Sequence, residues 1–414
     1  MAASNLIAGL DIGTTKIVAI VAEPDEHGEV RILGVGQSPS HGLRRGVVVN
    51  LEKTILSIQD AVEEAEKHAG VEISSVFAGI AGDHIRSINS RGVIAVGRGG
   101  SEITPADVER VIEAAKAIAL PMDREIIHVI PQEFIVDDQP GIRDPVGMAG
   151  VRLEGEIHII TGAVTSAQNI YKSVQRAGVE VHDLVLQPLA SSYATLTEDE
   201  KELGVAMLDL GGGTADLAVF YEGSIRHTAV IGLGGENVTN DVAIGLRTPR
   251  DQAERIKIDH GVALQAMVDQ DERIEVPGVG GRPAREVSRD VLAAIIEPRM
   301  EEIFALALRE IQRSEYADLL TTGLVLTGGG AMLEGACELA ERVFNMPVKL
   351  GIPSGVGGLD SEVATPVYAT AVGLLRYAMQ EGGSRGRRYA FGKGGGLFDS
   401  ILNRMRKWID EFFG

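Results

Sequence analysis

Two short stretches, LDIGTTKIVAIV (residues 10–21) and LDLGGGTADLAVF (residues 208–220), share one pattern. Each places an aspartate between two apolar residues, followed by a small-residue turn and a second apolar run. The pattern predicts a β-hairpin at both places. Either hairpin alone could be an ordinary one, but the two aspartates lie 198 positions apart (209 minus 11), nearly half of the 414 residues. The spacing therefore indicates a duplicated core with one hairpin opening each half.

The segments between the hairpins indicate an α/β protein. Strands are expected at residues 6–12, 16–22, 30–36, 73–80, 157–162, 205–209, 216–221 and 324–327. Asn50 is expected to cap a helix that runs through Lys67 and is closed by Gly70. Ser166 is expected to cap another helix, which runs through Ala177. Strands that alternate with helices predict a mostly parallel core.

Two segments interrupt the repeated pattern and are expected to form separate units. Residues 84–163 show strands at 84–96, 125–136 and 151–162, and a helix capped by Thr104 with Pro105 in its first position. Residues 234–304 mix helical patterns with the irregular VPGVGGRPAREVSR. Residues 382–396, GGSRGRRYAFGKGGG, have the composition of a flexible linker.

Composition excludes several classes of function. The formal net charge of -20 argues against general nucleic-acid binding, which needs lysines and arginines to neutralise phosphates. The single cysteine, Cys337, excludes a disulfide framework and fits a reducing compartment. No apolar run reaches the roughly 18 residues of a membrane span, and no export signal is expected from the first residues.

Three glycine-rich turns are candidates for phosphate binding, because glycine lets backbone N–H groups approach a ligand closely. The first turn is GTTK (residues 13–16), the second is GGGT (residues 211–214), and the third lies within LTGGGAML (residues 326–333). Asp11 and Asp209 precede the first two turns at strand ends, where carboxylates can hold Mg²⁺ through water, since this ion keeps much of its hydration shell. Each turn alone is a weak signal, but their combination and order favour a nucleotide site.

The order of these motifs resembles the actin/Hsp70/sugar-kinase ATPase superfamily. The resemblance implies that ATP or ADP binds with Mg²⁺ in a cleft between two lobes. The implied first phosphate loop comprises Asp11, Gly13, Thr14, Thr15 and Lys16, the second comprises Asp209, Gly211, Gly212, Gly213, Thr214 and Asp216, and the adenosine loop comprises Gly328, Gly329 and Gly330.

The same resemblance assigns roles to further residues. Gly235, Glu236 and Asn237 are expected near the ribose and phosphates, and Glu254 and Lys257 near the adenosine. The alternative for Glu254 and Lys257 is an exposed ion pair one helical turn apart. Gln187 stands where relatives carry the polar residue that orients the attacking water. The resemblance therefore implies that Gln187 is a catalytic residue with this role.

Four longer segments resemble one family within this superfamily, the bacterial cell-division actin homologues called FtsA. They are HVIPQEFIVDDQPGIRDPVGMAGVRLEGEIHIITG (128–162), LASSYATLTEDEKELGV (189–205), VGGRPAREVSRDVLAAIIEPR (279–299) and TAVGLLRY (370–377). The resemblance implies subdomain 1A at residues 1–83, 164–203 and 364–381, an inserted SHS2-type subdomain 1C at 84–163, subdomain 2A at 204–233 and 305–363, and subdomain 2B at 234–304.

The family also implies partners. Subdomain 2B would bind the C-terminal peptide of the tubulin homologue FtsZ, with Arg285, Arg289 and Arg299 as candidates to meet its acidic groups. Locally paired surface arginines are the alternative for each of the three. Actin-like filaments of the chain itself, and later division proteins recruited through subdomain 1C, are further implied partners.

The last residues, 397–414, predict an amphipathic helix. Its apolar face would consist of Leu397, Phe398, Ile401, Leu402, Met405, Trp408, Ile409, Phe412 and Phe413. This face could pack on the chain's own core, join a helical bundle or lie in the headgroup plane of an anionic membrane. The aromatic content and the basic residues Arg385, Arg387, Arg388 and Lys393 favour the membrane.

Two classes of function follow from these observations. The preferred one is an ATP-binding adaptor that polymerises on the cytoplasmic face of the inner membrane at the division site, tethers FtsZ filaments and hydrolyses ATP slowly at most. The alternative is a metabolic or small-molecule kinase or ATPase of the same superfamily. A kinase should turn over quickly with an acceptor and should not need residues 397–414.

Overall fold

The computed structural model describes residues 6–24, 30–97, 101–269 and 271–382. The strands are β1 (Ile7–Ile12), β2 (Lys16–Pro24), β3 (Val30–Pro39), β4 (Leu43–Arg44), β5 (Val47–Val48), β6 (Ser75–Ile80), β7 (Arg86–Ala95), β8 (Arg124–Val136), β9 (Gln139–Ile142), β10 (Arg152–Ala163), β11 (Glu180–Leu186), β12 (Val205–Leu210), β13 (Ala215–Tyr221), β14 (Ser224–Ile231), β15 (Arg273–Val276), β16 (Arg285–Ser288), β17 (Leu324–Thr327), β18 (Val348–Leu350) and β19 (Val356–Gly358).

The helices separate these strands along the chain. They are α1 (Leu51–Ala69), α2 (Pro105–Lys116), α3 (Val164–Arg176), α4 (Gln187–Thr195), α5 (Glu198–Leu203), α6 (Gly235–Gly245), α7 (Arg250–His260), α8 (Arg289–Arg313), α9 (Ala336–Phe344), α10 (Asp360–Val363) and α11 (Ala369–Gly382). Across the described ranges, none of the helices has the length and apolarity needed to cross a bilayer. The predicted terminal helix at 397–414, and the predicted linker beyond residue 382, lie outside the described residues.

The first lobe is built on a six-stranded sheet with the order β11-β6-β1-β2-β3-β19. The first predicted hairpin lies at its centre, where β1 pairs antiparallel with β2. Side chains of β2 are buried on both faces: Ile17 and Ala19 join the cluster that contains α1, whereas Val18 and Ile20 join the cluster that contains α11. A strand covered on both faces reads as a continuous apolar run, as the sequence does here.

The second lobe repeats the first. Its sheet has the order β14-β13-β12-β17-β18, and β12 and β13 form the second predicted hairpin. From β14 to β18 the pairings are antiparallel, antiparallel, parallel and parallel. From β3 to β11 in the first lobe they follow the same series. The predicted duplication is therefore confirmed, but both sheets are mixed rather than mostly parallel, because each hairpin contributes antiparallel pairs.

The segment inserted into the first lobe between β6 and β11 carries a sheet of its own, with the order β7-β10-β8-β9 and antiparallel pairing throughout. Helix α2 covers one face of this sheet and buries Val108, Val111 and Ile112. The predicted start of α2 is confirmed: Thr104 accepts from the N–H of Asp107, and Pro105 is the first helical residue. The other face contacts the second lobe, where the Gln132 amide donates to the Ile225 carbonyl of β14 at 2.9 Å.

Of the two helices predicted in the first lobe, one has the predicted cap and the other does not. Asn50 caps α1 by accepting from Lys53 N–H, and Gly70 ends the helix with a φ of 67°. Ser166 is not a cap, because α3 begins at Val164, directly after β10 ends. The residue that precedes the helix, Ala163, is extended and makes no side-chain capping bond. Ser166 is instead buried within the first turn of α3.

Candidate functional site

The first and second glycine turns close in the same way, each at the end of a hairpin strand. The Gly13 N–H donates to the Lys16 carbonyl at 3.0 Å, and the Gly211 N–H donates to the Thr214 carbonyl at 2.9 Å. The two hairpins have the same register, because in each the last residue paired before the turn is the one that follows the aspartate. This shared register explains why the turns close alike. The two lobes therefore present equivalent turns to each other.

These turns lie in direct contact where the lobes meet. A Cβ on Gly212 would be 2.3 Å from Thr15 Cγ2, and a Cβ on Gly213 would be 2.5 Å from Thr14 Oγ1. Both distances are shorter than real carbon contacts, so a larger residue at either glycine would push the turns apart. The glycines thus allow the two turns to lie closer together than residues with a Cβ would allow.

Three buried carboxylates, those of Asp11, Asp209 and Asp216, lie beside the turns. Asp209 and Asp216 face each other across the β12–β13 pair. The Asp209 Oδ2 accepts from Ser191 Oγ at 2.7 Å and from Thr370 Oγ1 at 3.3 Å. Ser191 belongs to α4 and Thr370 to α11. Two helices of the first lobe therefore donate hydrogen bonds to a carboxylate of the second lobe.

Burial dominates the electrostatics of these aspartates. It raises the pKa of Asp11 to about 7; the Lys16 ammonium opposes this shift and Asp209 adds to it. Burial also raises the pKa of Asp216 to about 7, again with a contribution from Asp209, while the Thr214 hydroxyl lowers it. The pKa of Asp209 is raised by burial as well, against the hydrogen bonds it accepts. Burial therefore disfavours the charged forms of all three carboxylates, and the Lys16 ammonium offsets this only in part, at Asp11 and Asp209.

The carboxylates fit a Mg²⁺ ion that is held partly through water. Thr214 Oγ1 donates to Asp216 Oδ2 at 2.8 Å, whereas the buried Asp216 Oδ1 has no hydrogen-bond partner. Uncompensated hard oxygen atoms are the donors that Mg²⁺ prefers, and a cation would restore low pKa values. No cluster of three or more acidic, histidine or cysteine side chains forms a closed metal cage in the described part of the chain. Mg²⁺ does not require one, since it keeps several waters and binds phosphate oxygens.

Lys16 is the cation at this site. Its Nζ donates to the Val367 carbonyl at 2.6 Å and lies 4.6 Å from the centre of the Tyr368 ring. Burial lowers its pKa to about 8, although the carboxylates of Asp11 and Asp209 raise it. A buried ammonium that faces carboxylates can offer its charge to an anionic ligand.

Gln187 is the first residue of α4 and contacts one of these carboxylates, that of Asp11. Its Nε2 donates to Asp11 Oδ1 at 3.0 Å and to the Ile12 carbonyl at 3.3 Å. The Gln187 side chain packs against Gly79, and a Cβ at residue 79 would lie only 3.0 Å from Gln187 Cγ. Glycine at this position therefore leaves room for the glutamine. The side-chain oxygen of Gln187 remains as an acceptor beside Asp11.

The third glycine turn packs on the second hairpin. Gly328 has a φ of 83°, and a Cβ on it would lie 2.4 Å from Asp209 Oδ1. A Cβ on Gly330 would lie 2.4 Å from Leu210 Cγ, whereas Gly329 faces open space apart from Val367 at 3.9 Å. The third turn therefore lies against Asp209 and Leu210, directly before the second turn, which the first turn contacts.

The predicted nucleoside side forms a connected group at the start of α6. The N–H groups of Gly235 and Glu236 donate to the carbonyls of Gly211 and Gly212, at 2.9 and 2.8 Å. Asn237 Oδ1 accepts from the N–H of Gly234 at 3.0 Å. This is one of the two bonds of a capping box, and Gly234 has no side chain to form the other. The beginning of α6 is thus fixed to the second turn.

Glu254 and Lys257 of α7 join this group. The Lys257 Nζ donates to Glu254 Oε2 at 2.8 Å and to the Gly235 carbonyl at 3.2 Å. The Lys257 side chain is 14% exposed and that of Glu254 is 42% exposed, so the two form an ion pair one helical turn apart, as the alternative expects, with its cation largely covered. The pair also connects α7 to the start of α6.

The three arginines proposed to meet an acidic peptide are all engaged within the chain. Arg285 Nη2 donates to the Leu246 carbonyl at 2.9 Å. Arg289 pairs with Glu272 and Glu334. Arg299 pairs with Asp241 and Glu302. The alternative of local pairing therefore holds in this structure, and a peptide would have to compete with these carboxylates.

Sequence reasoning missed several residues of the site. Ser191 and Thr370 lie in segments that carry the family resemblance, 189–205 and 370–377, but nothing in those segments marks either hydroxyl as a partner of Asp209. The hairpin formed by β4 and β5 has strands of only two residues each. This hairpin touches the site, since the Gly46 N–H donates to Thr14 Oγ1 at 3.0 Å. The turn of this hairpin consists of Arg45 and Gly46, which both have positive φ. Only the glycine is typical of such a turn, so the sequence indicates the hairpin weakly.

The raised pKa of Asp216 predicts how the ligand-free chain responds to pH. An unfolded Asp titrates near 3.8 and the folded one near 7, so the folded state binds more protons between these values and loses stability as pH rises. We expect Asp216→Asn to remove this loss. The variant should gain up to about 4 kcal/mol relative to wild type between pH 4 and pH 8, measured by chemical unfolding without nucleotide.

The matched control is Asp60→Asn on α1, where the aspartate is exposed. If the difference in unfolding free energy between Asp216→Asn and wild type stayed constant from pH 4 to pH 8, the carboxylate would not be titrating as described.

Comparisons with known proteins can now be set beside this geometry. A family model described as cell division protein FtsA matches residues 206–373, and one described as the SHS2 domain inserted in FtsA matches residues 82–161. The cell division protein FtsA of Pseudomonas aeruginosa is 49% identical over 415 residues, covering 99% of this chain and 98% of that protein. The FtsA of Escherichia coli (strain K12) is 42% identical, with coverage of 99% and 98%.

Solved structures share the fold at low identity. The structure described as the PilM-PilN type IV pilus biogenesis complex aligns with a TM-score of 0.67 at 15% identity, covering 90% of this chain and 98% of that chain. MreB5 of Spiroplasma citri bound to ADP aligns with a TM-score of 0.55 at 13% identity, covering 89% and 95%. The expected fold class, a duplicated actin-like ATPase core with an inserted SHS2-type domain, is confirmed. Because the match to curated relatives extends over nearly the whole of both chains, the chain belongs to the FtsA family of cell division proteins.

Proposed function

We propose that this chain binds Mg²⁺ and ATP where its lobes meet, and that it polymerises on the cytoplasmic face of the inner membrane to tether FtsZ filaments at the division site. The observation that supports the nucleotide site is the contact between glycine turns of the two lobes, Gly212 and Gly213 against Thr15 and Thr14, with the third turn packed on Asp209 through Gly328. ADP would occupy the same site after hydrolysis.

The residues of the site divide the tasks of binding between them. Backbone N–H groups of the first and second turns would face phosphate oxygens, and Lys16 would offer its ammonium to them. Asp11 and Asp209 would hold Mg²⁺ through water, and Mg²⁺ would neutralise charge on the phosphates. Gly328, Gly329 and Gly330, together with Gly235, Glu236, Asn237, Glu254 and Lys257, would surround the nucleoside.

Gln187 would orient the water that attacks the terminal phosphate. Its Nε2 already donates to Asp11, so its side-chain oxygen is the atom that can accept from a water. A neutral amide positions a water but does not remove its proton, which gives slow hydrolysis at most. This suits a protein that must stay assembled while its nucleotide is intact.

Closure of the lobes is the proposed link between nucleotide and filament contacts. Asp209 of the second lobe accepts hydrogen bonds from Ser191 and Thr370 of the first, so its position depends on both lobes. A triphosphate gripped by a turn from each lobe would favour one relative orientation, which is a hinge-type switch. Filament contacts formed in that orientation would then depend on the nucleotide.

Subdomain 2B, residues 234–304, is the proposed site for the acidic C-terminal peptide of FtsZ. Arg299 is 27% exposed and shares its guanidinium between Asp241 and Glu302, so a peptide carboxylate could replace one of them. Arg285 and Arg289 are further candidates. The inserted subdomain at 84–163 is the proposed contact for later division proteins.

Charge reversal at Arg299 tests the peptide site. We expect Arg299→Glu to weaken binding of a labelled FtsZ C-terminal peptide by about tenfold or more, since an attractive charge becomes repulsive. The measurement is fluorescence anisotropy with the intact chain. Arg313→Glu is the matched control, because Arg313 lies on the same helix and is paired with Glu310. Equal peptide affinity for Arg299→Glu and wild type would remove Arg299 from the site.

The membrane attachment is assigned to residues 397–414, with 382–396 as the linker. One amphipathic helix gives modest, reversible binding, and a filament would present many helices to one surface at high effective concentration. We therefore expect ATP, self-assembly and membrane binding to reinforce one another.

Sedimentation of the intact chain with and without Mg-ATP and anionic vesicles, together with phosphate release, tests the proposed function. An adaptor should pellet most with both ATP and lipid, and should release phosphate slowly. Rapid phosphate release that depends on a small-molecule acceptor, with no lipid-dependent pelleting, would favour the kinase alternative and contradict the adaptor.

A further inference from the structure

A short hairpin between β3 and α1 reaches the nucleotide site. Its strands pair Leu43 with Val48 and Arg44 with Val47, which leaves Arg45 and Gly46 as the two residues of the turn. Both have positive φ, 50° for Arg45 and 75° for Gly46. This is the geometry of a type I′ turn, which normally takes asparagine, aspartate or glycine.

Arg45 is an unusual residue for this position. A left-handed conformation is unfavourable for a residue with a Cβ, and glycine or asparagine adopts it more readily. A residue that breaks a local preference beside a candidate site is a reason to ask what its side chain does there. The strain alone assigns nothing, so the position of the turn decides the question.

The tip of the hairpin contacts both lobes. The Gly46 N–H donates to Thr14 Oγ1 of the first turn at 3.0 Å. A Cβ on Gly213 of the second turn would be 3.0 Å from Arg45 Cα. The hairpin belongs to the first lobe, so its tip lies against the phosphate-binding turns of both lobes.

The Arg45 side chain extends along the second lobe. A Cβ on Gly232, at the end of β14, would be 3.9 Å from Arg45 Nη1 and 4.0 Å from Arg45 Cδ. Arg45 is exposed, and within the ranges that the structure describes no hydrogen bond or ion pair engages its guanidinium. The group is therefore free to bind a ligand.

Other cations of the site are already engaged. Lys16 donates to the Val367 carbonyl, and Lys257 is paired with Glu254. A bound nucleoside triphosphate would add several negative charges beside the carboxylates of Asp11, Asp209 and Asp216. Compared with a diphosphate, a triphosphate carries its additional negative charge on the terminal phosphate. An arginine can bind this group through two parallel hydrogen bonds.

We propose that Arg45 binds the terminal phosphate of the bound nucleoside triphosphate and thereby distinguishes ATP from ADP. This inference rests on the proposed nucleotide site. Because Arg45 belongs to the first lobe and lies against Gly213 and Gly232 of the second, the contact would hold the lobes together only while the terminal phosphate is present.

The test measures affinities of the intact chain for fluorescent ATP and ADP analogues with Mg²⁺. Arg45→Asn suits the left-handed turn and removes the guanidinium, so it should fold. We expect it to weaken ATP binding by about tenfold and ADP binding by less than about threefold. Arg45→Gly, which also fits the turn, should behave in the same way. Arg44→Asn, the exposed neighbour in the same hairpin, should change neither affinity.

Two results would overturn the inference while leaving the proposed function in place. The first is unchanged ATP affinity for both Arg45 variants, and the second is an equal loss of ATP and ADP affinity, which would indicate a role in packing alone. If the wild-type chain binds neither nucleotide, the proposed function fails and the inference fails with it. Thermal unfolding of each variant identifies any that do not fold.

Discussion

Gly212→Val should lower the affinity of the chain for Mg-ATP by at least about 100-fold, or about 2.7 kcal/mol. A Cβ at this position would lie 2.3 Å from Thr15 Cγ2 and 2.7 Å from Thr15 Oγ1, so the valine must push the first and second turns apart. The turns belong to different lobes, and a triphosphate needs both at once. Equilibrium binding of a fluorescent ATP analogue measures the effect.

Gly357→Val is the matched control for this substitution. Gly357 lies in β19, where nothing stands within 4 Å of a Cβ, and valine is well suited to a strand. The control should bind ATP as wild type does. If Gly212→Val folds, as judged by thermal unfolding, and keeps wild-type ATP affinity, the two turns do not form the phosphate site.

Removal of residues 384–414 should abolish flotation with anionic vesicles, which is the second large effect. The nine apolar side chains of the predicted helix would no longer enter the interface, and the basic residues of the linker would be lost with them. We expect the lipid-bound fraction to fall more than about tenfold, while thermal unfolding of the shortened chain stays close to that of the intact one.

Trp408→Glu in the intact chain provides the finer version of this experiment. A charge in the apolar face should release the protein from vesicles, whereas Asp410→Asn on the polar face should not. Equal flotation of the intact and shortened chains would contradict the membrane assignment. A large loss of thermal stability on truncation would instead favour packing of these residues on the chain's own core.

The sequence predicts those parts of the fold whose signals are local. Both hairpins are recognisable because aspartate, glycine and an apolar strand follow one another within a dozen residues, and the cap at Thr104 is recognisable from its neighbours Pro105 and Asp107. The helix start at Ser166 was predicted wrongly for a local reason too. A serine before an apolar run is typical of a cap, but β10 continues into α3 without a loop.

The parts of the site that depend on distant contacts could not be predicted. Ser191 and Thr370 both donate to Asp209, from 18 and 161 positions away, and the segments in which they stand do not show which side chain they contact. Arg45 reaches the second lobe through a hairpin whose strands are too short to show a periodic pattern. Such contacts follow from the arrangement of the lobes, which the sequence indicates only as a duplication.

A crystal structure of the intact chain, grown with Mg²⁺ and a non-hydrolysable ATP analogue, tests the central claim most directly. The account predicts density for the triphosphate between residues 13–16 and 211–214, with the base beside Lys257 and residues 328–330. A structure in which the analogue binds elsewhere while this position holds only solvent would contradict the account.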